Sequence, residues 1–134
     1  AGGGLTTASS HVIFDAGYGF CTRLLGFWSR EKGVISLEAA VRKLTFMNAQ
    51  FYGFTDRGLL QPGFKADIAV FDPATVGARE PQLVRDLPGD CERLEQRADG
   101  VEYTLVNGQL LMEHGRATEA LPGAVLRNAA YKGV

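Results

Sequence analysis

The sequence predicts an α+β fold in which helices come first and strands follow. Between residues 23 and 53, apolar side chains recur every three or four positions, as they do on one face of a helix. From residue 66 onward, short apolar runs alternate with turn residues, which is typical of strands joined by hairpins. The chain has 134 residues and no internal repeat, so we expect a single packed core.

The helical part is predicted to contain two helices. The first covers residues 23–31 and ends at Gly33. The second begins after Ser36, because this hydroxyl can accept a hydrogen bond from a first-turn N–H group, and it ends before Gly53. Its apolar stripe, which we expect in the core, consists of Leu37, Val41, Leu44, Met47 or Asn48, and Phe51.

The first strand is predicted over residues 66–73, after a type II turn at Pro62–Gly63. Both of its alternating faces are apolar, so we expect it to be buried on both sides, with Pro73 ending it. Residues 74–98 combine prolines with alternating charges, and they are predicted to form a long irregular connection.

A hairpin is predicted around Asn107–Gly108, because a type I′ turn needs two residues that tolerate positive φ. A simple two-residue turn gives one apolar face and one charged face. The expected pairs are Leu105 with Leu110, Tyr103 with Met112, Val101 with His114, and Glu102 with Glu113.

Composition excludes two classes of partner. The chain has 14 basic and 15 acidic residues, so it offers no single-sign field for nucleic acid or an anionic membrane. No apolar run approaches the roughly 20 residues that span a bilayer. Cys21 and Cys91 lie far apart without zinc-ligand spacing, and we expect two reduced thiols in a cytoplasmic protein. The first residues resemble no signal peptide and contain no Met, so we expect a chain that begins inside a longer reading frame or has been processed or trimmed.

Three strings in order along the chain resemble N-acyl-D-amino-acid deacylases, the D-aminoacylase branch of the amidohydrolase superfamily. The strings are DRGLLQPGFKADIAVFDP at residues 56–73, GVEYTLVNG at residues 100–108 and GRATEALPGAVLR at residues 115–127. The resemblance implies a (β/α)8 barrel carried on a composite β-sandwich. Residues 1–55 would then be the helical end of the barrel, and residues 56–134 would be sandwich strands, the hairpin and a C-terminal tail.

The resemblance also implies a reaction, the zinc-dependent hydrolysis of an amide C–N bond outside a peptide. Zinc lowers the pKa of its bound water, and an Asp after the last barrel strand takes and relays the proton. That Asp lies in an S-D-x-G-x-H motif, which matches residues 6–11 here. Thr7 occupies the Asp position, unless the match is out of register there, and Ser10 and His11 would lie near the substrate. With two histidines in the chain, we predict no metal site and no catalytic residue within it.

Several of these residues could have a purely structural role instead of a functional one. His11 is either a former active-site residue or an ordinary loop histidine, and a small hydrolase built on it has no support in the spacing. Asp67 is expected to accept backbone N–H bonds rather than to bind a ligand. The aromatic side chains of Tyr18, Phe27 and Trp28 either pack in the core, which we favour, or line a substrate pocket. The basic group Arg23, Arg30 and Lys32 is expected to form a solvated helix face.

Two functional hypotheses follow. In the first, the chain is the C-terminal portion of a metal-dependent deacylase and is inactive alone, and its partner is the missing N-terminal barrel. In the second, it is a free-standing structural or oligomerisation module. Apolar faces and open strand edges left without the barrel would be covered by further copies, which predicts a homo-oligomer.

Overall fold

The computed structural model describes residues 19–127, where helices precede antiparallel strands, which confirms the predicted α+β order. The helical elements are α1 (Phe20–Arg23), a π-helix (Leu24–Glu31), α2 (Leu37–Leu44) and α3 (Phe46–Phe51). The strands are β1 (Ile68–Phe71), β2 (Gly77–Ala78), β3 (Gln82–Leu87), β4 (Cys91–Glu95), β5 (Ala98–Asp99), β6 (Val101–Val106), β7 (Gln109–Glu113) and β8 (Arg116–Ala117).

The second predicted helix starts where expected but divides in the middle. Ser36 caps α2 by accepting a hydrogen bond from the Ala39 N–H at 3.2 Å. At Thr45 the backbone leaves the helical region (φ −120°, ψ −87°), and the Thr45 hydroxyl donates to the Val41 carbonyl at 2.8 Å. Such back-bonding bends helices, so the stripe does not continue into α3. The prediction that Phe51 lies in the core is therefore wrong, since this side chain is 82% exposed.

The first predicted helix is confirmed, and it adopts a π-helical form. Its residue Gly26 is buried, and a Cβ there would collide with the Val76 carbonyl and lie 3.0 Å from the Gly77 Cα. Arg30 donates to the Pro73 carbonyl at 3.2 Å and to the Val76 carbonyl at 2.5 Å. The expectation that Arg30 belongs to a solvated face is thus wrong, because it fastens this helix to the segment that follows β1.

The first strand is correctly located but not buried on both sides. β1 is an edge strand of a four-stranded antiparallel sheet with the order β1-β6-β7-β8. Ala69 and Val70 are exposed, Val70 by 43%. Successive side chains of a strand point to opposite faces, so among the described residues each face of β1 keeps an exposed side chain. The type II turn before the strand is confirmed, because Phe64 donates to the Gln61 carbonyl at 3.2 Å and Gly63 has φ +87°.

The predicted hairpin turn is confirmed, whereas the register beyond it is wrong. Asn107 and Gly108 have φ values of +48° and +77°, as a type I′ turn requires, and Leu105 lies opposite Leu110. A bulge then shifts the pairing by one residue, so that Tyr103 faces Glu113 rather than Met112.

The same bulge changes the charged pair. The His114 N–H donates to the Glu102 carbonyl at 2.7 Å, which places His114 beside Glu102 in place of the expected Glu113. The expected pair of Val101 with His114 is therefore absent, and on its other edge Val101 pairs with Phe71 of β1. The shift thereby replaces a repulsion between two carboxylates by an attraction between a carboxylate and an imidazole.

Residues 74–98 are not an irregular connection, and that prediction is wrong. They contain β2 to β5, with β3 and β4 forming an antiparallel two-stranded ribbon. The alternating charges form cross-strand ion pairs, with Arg85 bonded to Glu92, and Arg93 to Asp86 at 2.6 Å. Such pairs favour strand pairing without a hydrophobic core, which is why apolar periodicity did not detect the ribbon.

We expect the ribbon to open at acidic pH before the four-stranded sheet does. The hydrogen bond from Arg93 holds the pKa of Asp86 below its ordinary value, and the hydrogen bond from Arg97 does the same for Glu95. A lowered folded-state pKa stabilises the fold at and above the ordinary carboxyl pKa of about 4, and this stabilisation is lost as pH falls through the folded value. Amide chemical shifts followed by NMR through an acid titration would test this. Loss of dispersion in Leu105 and Leu110 before the ribbon would contradict it.

The core of the described residues is small. The buried cluster consists of Leu25, Ala40 and Val76, with Val76 fully buried, and seven partly buried side chains pack against it. Among residues 19–127, thirteen large hydrophobic side chains are exposed. Within residues 19–127 no helix combines the length and apolar character needed to cross a membrane.

Candidate functional site

The three strings that carry the family resemblance meet at one junction in the structure. Arg57, from the first string, donates from Nη1 to Oδ2 of Asp67 at 2.6 Å. Oδ1 of Asp67 accepts the backbone N–H of Asn107 in the second string at 2.8 Å. The Asn107 side chain then donates from Nδ2 to the carbonyl of Pro122 in the third string at 2.8 Å. We call these four residues the motif junction.

Asp67 has the structural role that the sequence predicts, with a different partner. It accepts a backbone N–H, but from the hairpin turn rather than from the turn before its own strand. The ion pair between Arg57 and Asp67 is partly shielded from solvent, since the Arg57 side chain is 15% exposed and the Asp67 side chain 31%. A sheltered charge-assisted bond of this kind contributes more than a pair in full solvent. The junction therefore fixes the hairpin and the tail relative to β1.

A second polar group lies at the far end of the hairpin. His114 bonds through Nδ1 to Glu102 at 2.6 Å, and its Nε2 lies 3.3 Å from the Tyr103 hydroxyl. Beside it is a cavity of about 340 Å³ lined by Glu113, His114, Arg116, Ala117 and Thr118. His114 is more than half exposed, so this group orients the hairpin end in solvent and does not enclose a substrate.

The described residues do not fit a metal centre. A catalytic zinc takes three protein ligands. Across residues 19–127 no group of three or more His, Cys, Asp or Glu side chains converges, and His114 and Glu102 supply only two. Both cysteines are free thiols, and burial raises the pKa of the Cys21 thiol, which disfavours the thiolate that binds metal.

The sequence-predicted site residues Thr7, Ser10 and His11 lie outside the described part of the chain. Among the three aromatic residues, Tyr18 also lies outside it. Trp28 is 44% exposed, so the expectation that it packs in the core is wrong. Two cations lie near the Phe27 ring, with the Arg23 guanidinium 5.0 Å and the Lys32 ammonium 5.2 Å from its centroid. These contacts stabilise the helix end, and they enclose no pocket.

The sequence predicted uncovered apolar faces in general but not the exposed apolar side chains around α3, since Phe51 was expected in the core. Phe51 and Leu60 are 82% and 81% exposed, and the Phe51 and Tyr52 rings make an edge-to-face contact. Gly58 brings the following loop against α3, since a Cβ there would lie 2.9 Å from the Ala49 Cβ. We call this surface the α3 patch, and it comprises Met47, Phe51, Tyr52, Leu59 and Leu60. The sequence analysis did not detect the helix break at Thr45. In an unbroken helix Phe51 would have continued the apolar stripe toward the core.

Comparison with known proteins assigns the class. Residues 16–112 match the model of the amidohydrolase family, and the chain belongs to this family. It is 35% identical over 113 residues to a D-aminoacylase of Alcaligenes xylosoxydans xylosoxydans, a match that covers 84% of this chain and 22% of the relative.

Two solved structures agree with this assignment. A D-aminoacylase with a binuclear metal centre has a TM-score of 0.65 at 36% identity, covering 83% of this chain and 22% of that one. An N-acyl-D-glutamate deacylase of Bordetella bronchiseptica, solved with zinc and a phosphonate inhibitor, has a TM-score of 0.56 at 34% identity, covering 79% of this chain and 21% of that one. The chain thus spans about a fifth of the length of these relatives.

Proposed function

We propose that the chain is the C-terminal portion of a metal-dependent deacylase that hydrolyses N-acyl-D-amino acids, and that it is inactive alone. The observation that carries the proposal is the match to D-aminoacylase over 84% of this chain but only 22% of the relative. The absence of a convergent ligand group among residues 19–127 also supports it. The metal ligands of the whole enzyme would then come from outside this stretch, and zinc would supply Lewis-acid chemistry there.

In this proposal residues 1–55 form the helical end of a (β/α)8 barrel, and residues 56–134 form part of a composite β-sandwich. The change from helices to strands supports a boundary in this region, because α3 ends at Phe51 and β1 begins at Ile68. The motif junction spans only the second part, in which it holds the hairpin and the tail on β1. The contribution of this chain would be a scaffold that supports the end of the barrel.

The site residues of the proposal are Thr7, Ser10 and His11. On the resemblance, Ser10 and His11 lie near the substrate, and Thr7 stands where an Asp takes and relays a proton. A threonine hydroxyl keeps its own proton near neutral pH and cannot accept another one there as a carboxylate can. We therefore propose that Thr7 blocks turnover even when the rest of a deacylase is present.

The partner proposed for the α3 patch is the remaining part of the deacylase. Five exposed large apolar side chains support this, because such a surface is unfavourable in water. The alternative is a non-catalytic module whose copies cover the patch in a homo-oligomer, and the position of β1 at the sheet edge in the described part of the chain favours it. We further propose a cytoplasmic location on the basis of the two free thiols.

A chimera tests the proposal. The C-terminal fifth of the Alcaligenes D-aminoacylase is replaced by this chain, once with Thr7 and once with Thr7→Asp. With zinc and an N-acetyl-D-amino acid, we expect turnover from the Thr7→Asp chimera and a rate about 10²–10⁴-fold lower with Thr7, because a general base contributes about that factor. The isolated chain with zinc should show no turnover above buffer.

Three controls make the test decisive. The L-enantiomer should remain unreacted, zinc content should be equal in both chimeras, and both should have similar melting temperatures. Equal activity of the two chimeras would refute the role of Thr7. Deacylation by the isolated chain would refute the proposal as a whole.

A further inference from the structure

We propose that Asn107–Gly108 is a site of spontaneous deamidation, and that the C-terminal tail controls it. Asparagine is among the thermolabile residues, and it is most reactive where the following residue has no side chain to hinder attack by its backbone nitrogen. Gly108 is such a residue, and both members of the pair are exposed at the tip of the hairpin. The site therefore has the sequence and the solvent access that this chemistry requires.

Two hydrogen bonds engage the reacting groups, and a third fixes the backbone beside them. The Gly108 N–H, whose nitrogen would be the nucleophile, donates to the Ala66 carbonyl at 2.9 Å. The Asn107 Nδ2, which would be the leaving group, donates to the Pro122 carbonyl at 2.8 Å. The Asn107 backbone N–H donates to Asp67 at 2.8 Å. Attack requires the side-chain amide to leave Pro122 and the Gly108 N–H to leave Ala66, so the reaction needs a local opening of the motif junction.

The chemistry uses only water and the chain. A solvent base removes the Gly108 amide proton while the nitrogen forms a bond to the Asn107 Cγ. The bond from Cγ to Nδ2 breaks, and the amide nitrogen leaves as ammonia, which gives a succinimide. Water then adds to either ring carbonyl, opens the ring, and restores the Gly108 N–H, which leaves aspartate or isoaspartate at position 107.

The product can no longer hold the tail. A carboxylate at position 107 has no hydrogen to donate to the Pro122 carbonyl, and it would lie near the Asp67 carboxylate that accepts the neighbouring N–H. Two acceptors then face each other, and two like charges are brought together. The modification would therefore release the segment around Pro122 irreversibly. Once an opening of the junction has led to conversion, the tail can no longer rebind through position 107.

The first experiment needs no substitution. The folded chain and its tryptic peptide 98–116, which contains Asn107 as its sole asparagine, are incubated under the same conditions, and conversion is followed by mass spectrometry and isoaspartate detection. We expect conversion in the folded chain to be at least about tenfold slower, since two net hydrogen bonds must open first. Asn48, in α3 and followed by Ala49, serves as an internal control that should stay unconverted.

A variant tests the role of the tail without touching the turn. The Thr118 hydroxyl donates to the Leu110 carbonyl at 2.7 Å and accepts from the Ala120 N–H at 3.2 Å, so Thr118→Val should loosen the tail. We expect faster amide exchange in residues 119–127 and several-fold faster conversion of Asn107. Where the variant leaves exchange unchanged, sub-denaturing urea loosens the tail of the unaltered chain for the same comparison.

The consequence of the modification is tested with a matched pair. Asn107→Asp imitates the product, and Asn107→Gly removes the same donor without adding charge while tolerating the positive φ of +48°. We expect faster tail exchange in Asn107→Asp than in Asn107→Gly. Equal conversion rates in folded chain and peptide, or a loosened tail without faster conversion, would overturn the gating. No conversion in the peptide would overturn the site, and equal tail exchange in the matched pair would overturn the release.

Discussion

Gly100→Ala should destabilise the chain by about 2–5 kcal/mol, the sum of a left-handed backbone penalty and overpacking against a fixed neighbour. Gly100 has φ +69°, and its Cβ would lie 2.7 Å from the Thr75 carbonyl carbon and closer still to the Val76 nitrogen. These are backbone atoms, and Val76 is the one fully buried large side chain of the described residues. The strand start therefore cannot move away without opening the core. Thermal unfolding followed by circular dichroism measures the effect.

Gly115→Ala is the matched control for this prediction. Gly115 also has a positive φ, +78°, but a Cβ there would meet nothing within 4 Å. We expect it to cost only the backbone penalty of about 1–2 kcal/mol. Equal losses in the two variants would show that the close approach of Gly100 to Val76 does not support the core.

The sequence predicted those elements whose signals are local. The cap at Ser36, the type II turn at Gly63 and the type I′ turn at Asn107 each depend on chemistry within a few residues, and all three are present. The resemblance to deacylases also rested on ordered short strings, and the family is confirmed. Local chemistry of this kind is little altered by the rest of the chain.

The features that sequence reasoning missed depend on contacts between distant segments. The one-residue bulge in β7 that moves His114 beside Glu102 has no glycine or proline to mark it. Strands β3 and β4 are joined by cross-strand ion pairs. In the sequence alone, such alternating charges look the same as those of a solvated loop. Burial of β1 on both sides was inferred from its apolar composition. Composition alone cannot distinguish a buried strand from one whose apolar side chains are exposed in the isolated chain.

The candidate site was predictable only in part. Residues 19–127 contain no convergent group of three or more metal-ligating side chains, and the expectation that the chain holds no metal site stays a prediction. The motif junction was not foreseen, because its bonds join residues 40 positions apart in one case and 15 in another. The residues predicted near the substrate lie outside residues 19–127, so their roles remain proposals.

Replacing Phe51 and Leu60 together by serine should abolish association through the α3 patch while leaving the isolated chain folded. Both side chains are more than four-fifths exposed, and substitutions at such positions change stability by about 0.5 kcal/mol or less. Burying a large apolar side chain contributes about 1.5–3 kcal/mol, so losing two should weaken association at least about a hundredfold. Sedimentation equilibrium of the isolated chain and melting temperatures of the chimera would measure the effect in the two proposed settings.

Leu83→Ser is the matched control, because Leu83 is 57% exposed on β3 and lies outside the α3 patch. It should leave both association and chimera stability unchanged. Loss of self-association in the double variant, with the chimera unaffected, would favour the oligomerisation module over the deacylase portion. Loss of chimera stability, with a monomeric parent chain, would favour the deacylase portion. A double variant that unfolds as an isolated chain would contradict both, because it would place Phe51 and Leu60 in the core of this chain rather than on a surface that a partner covers.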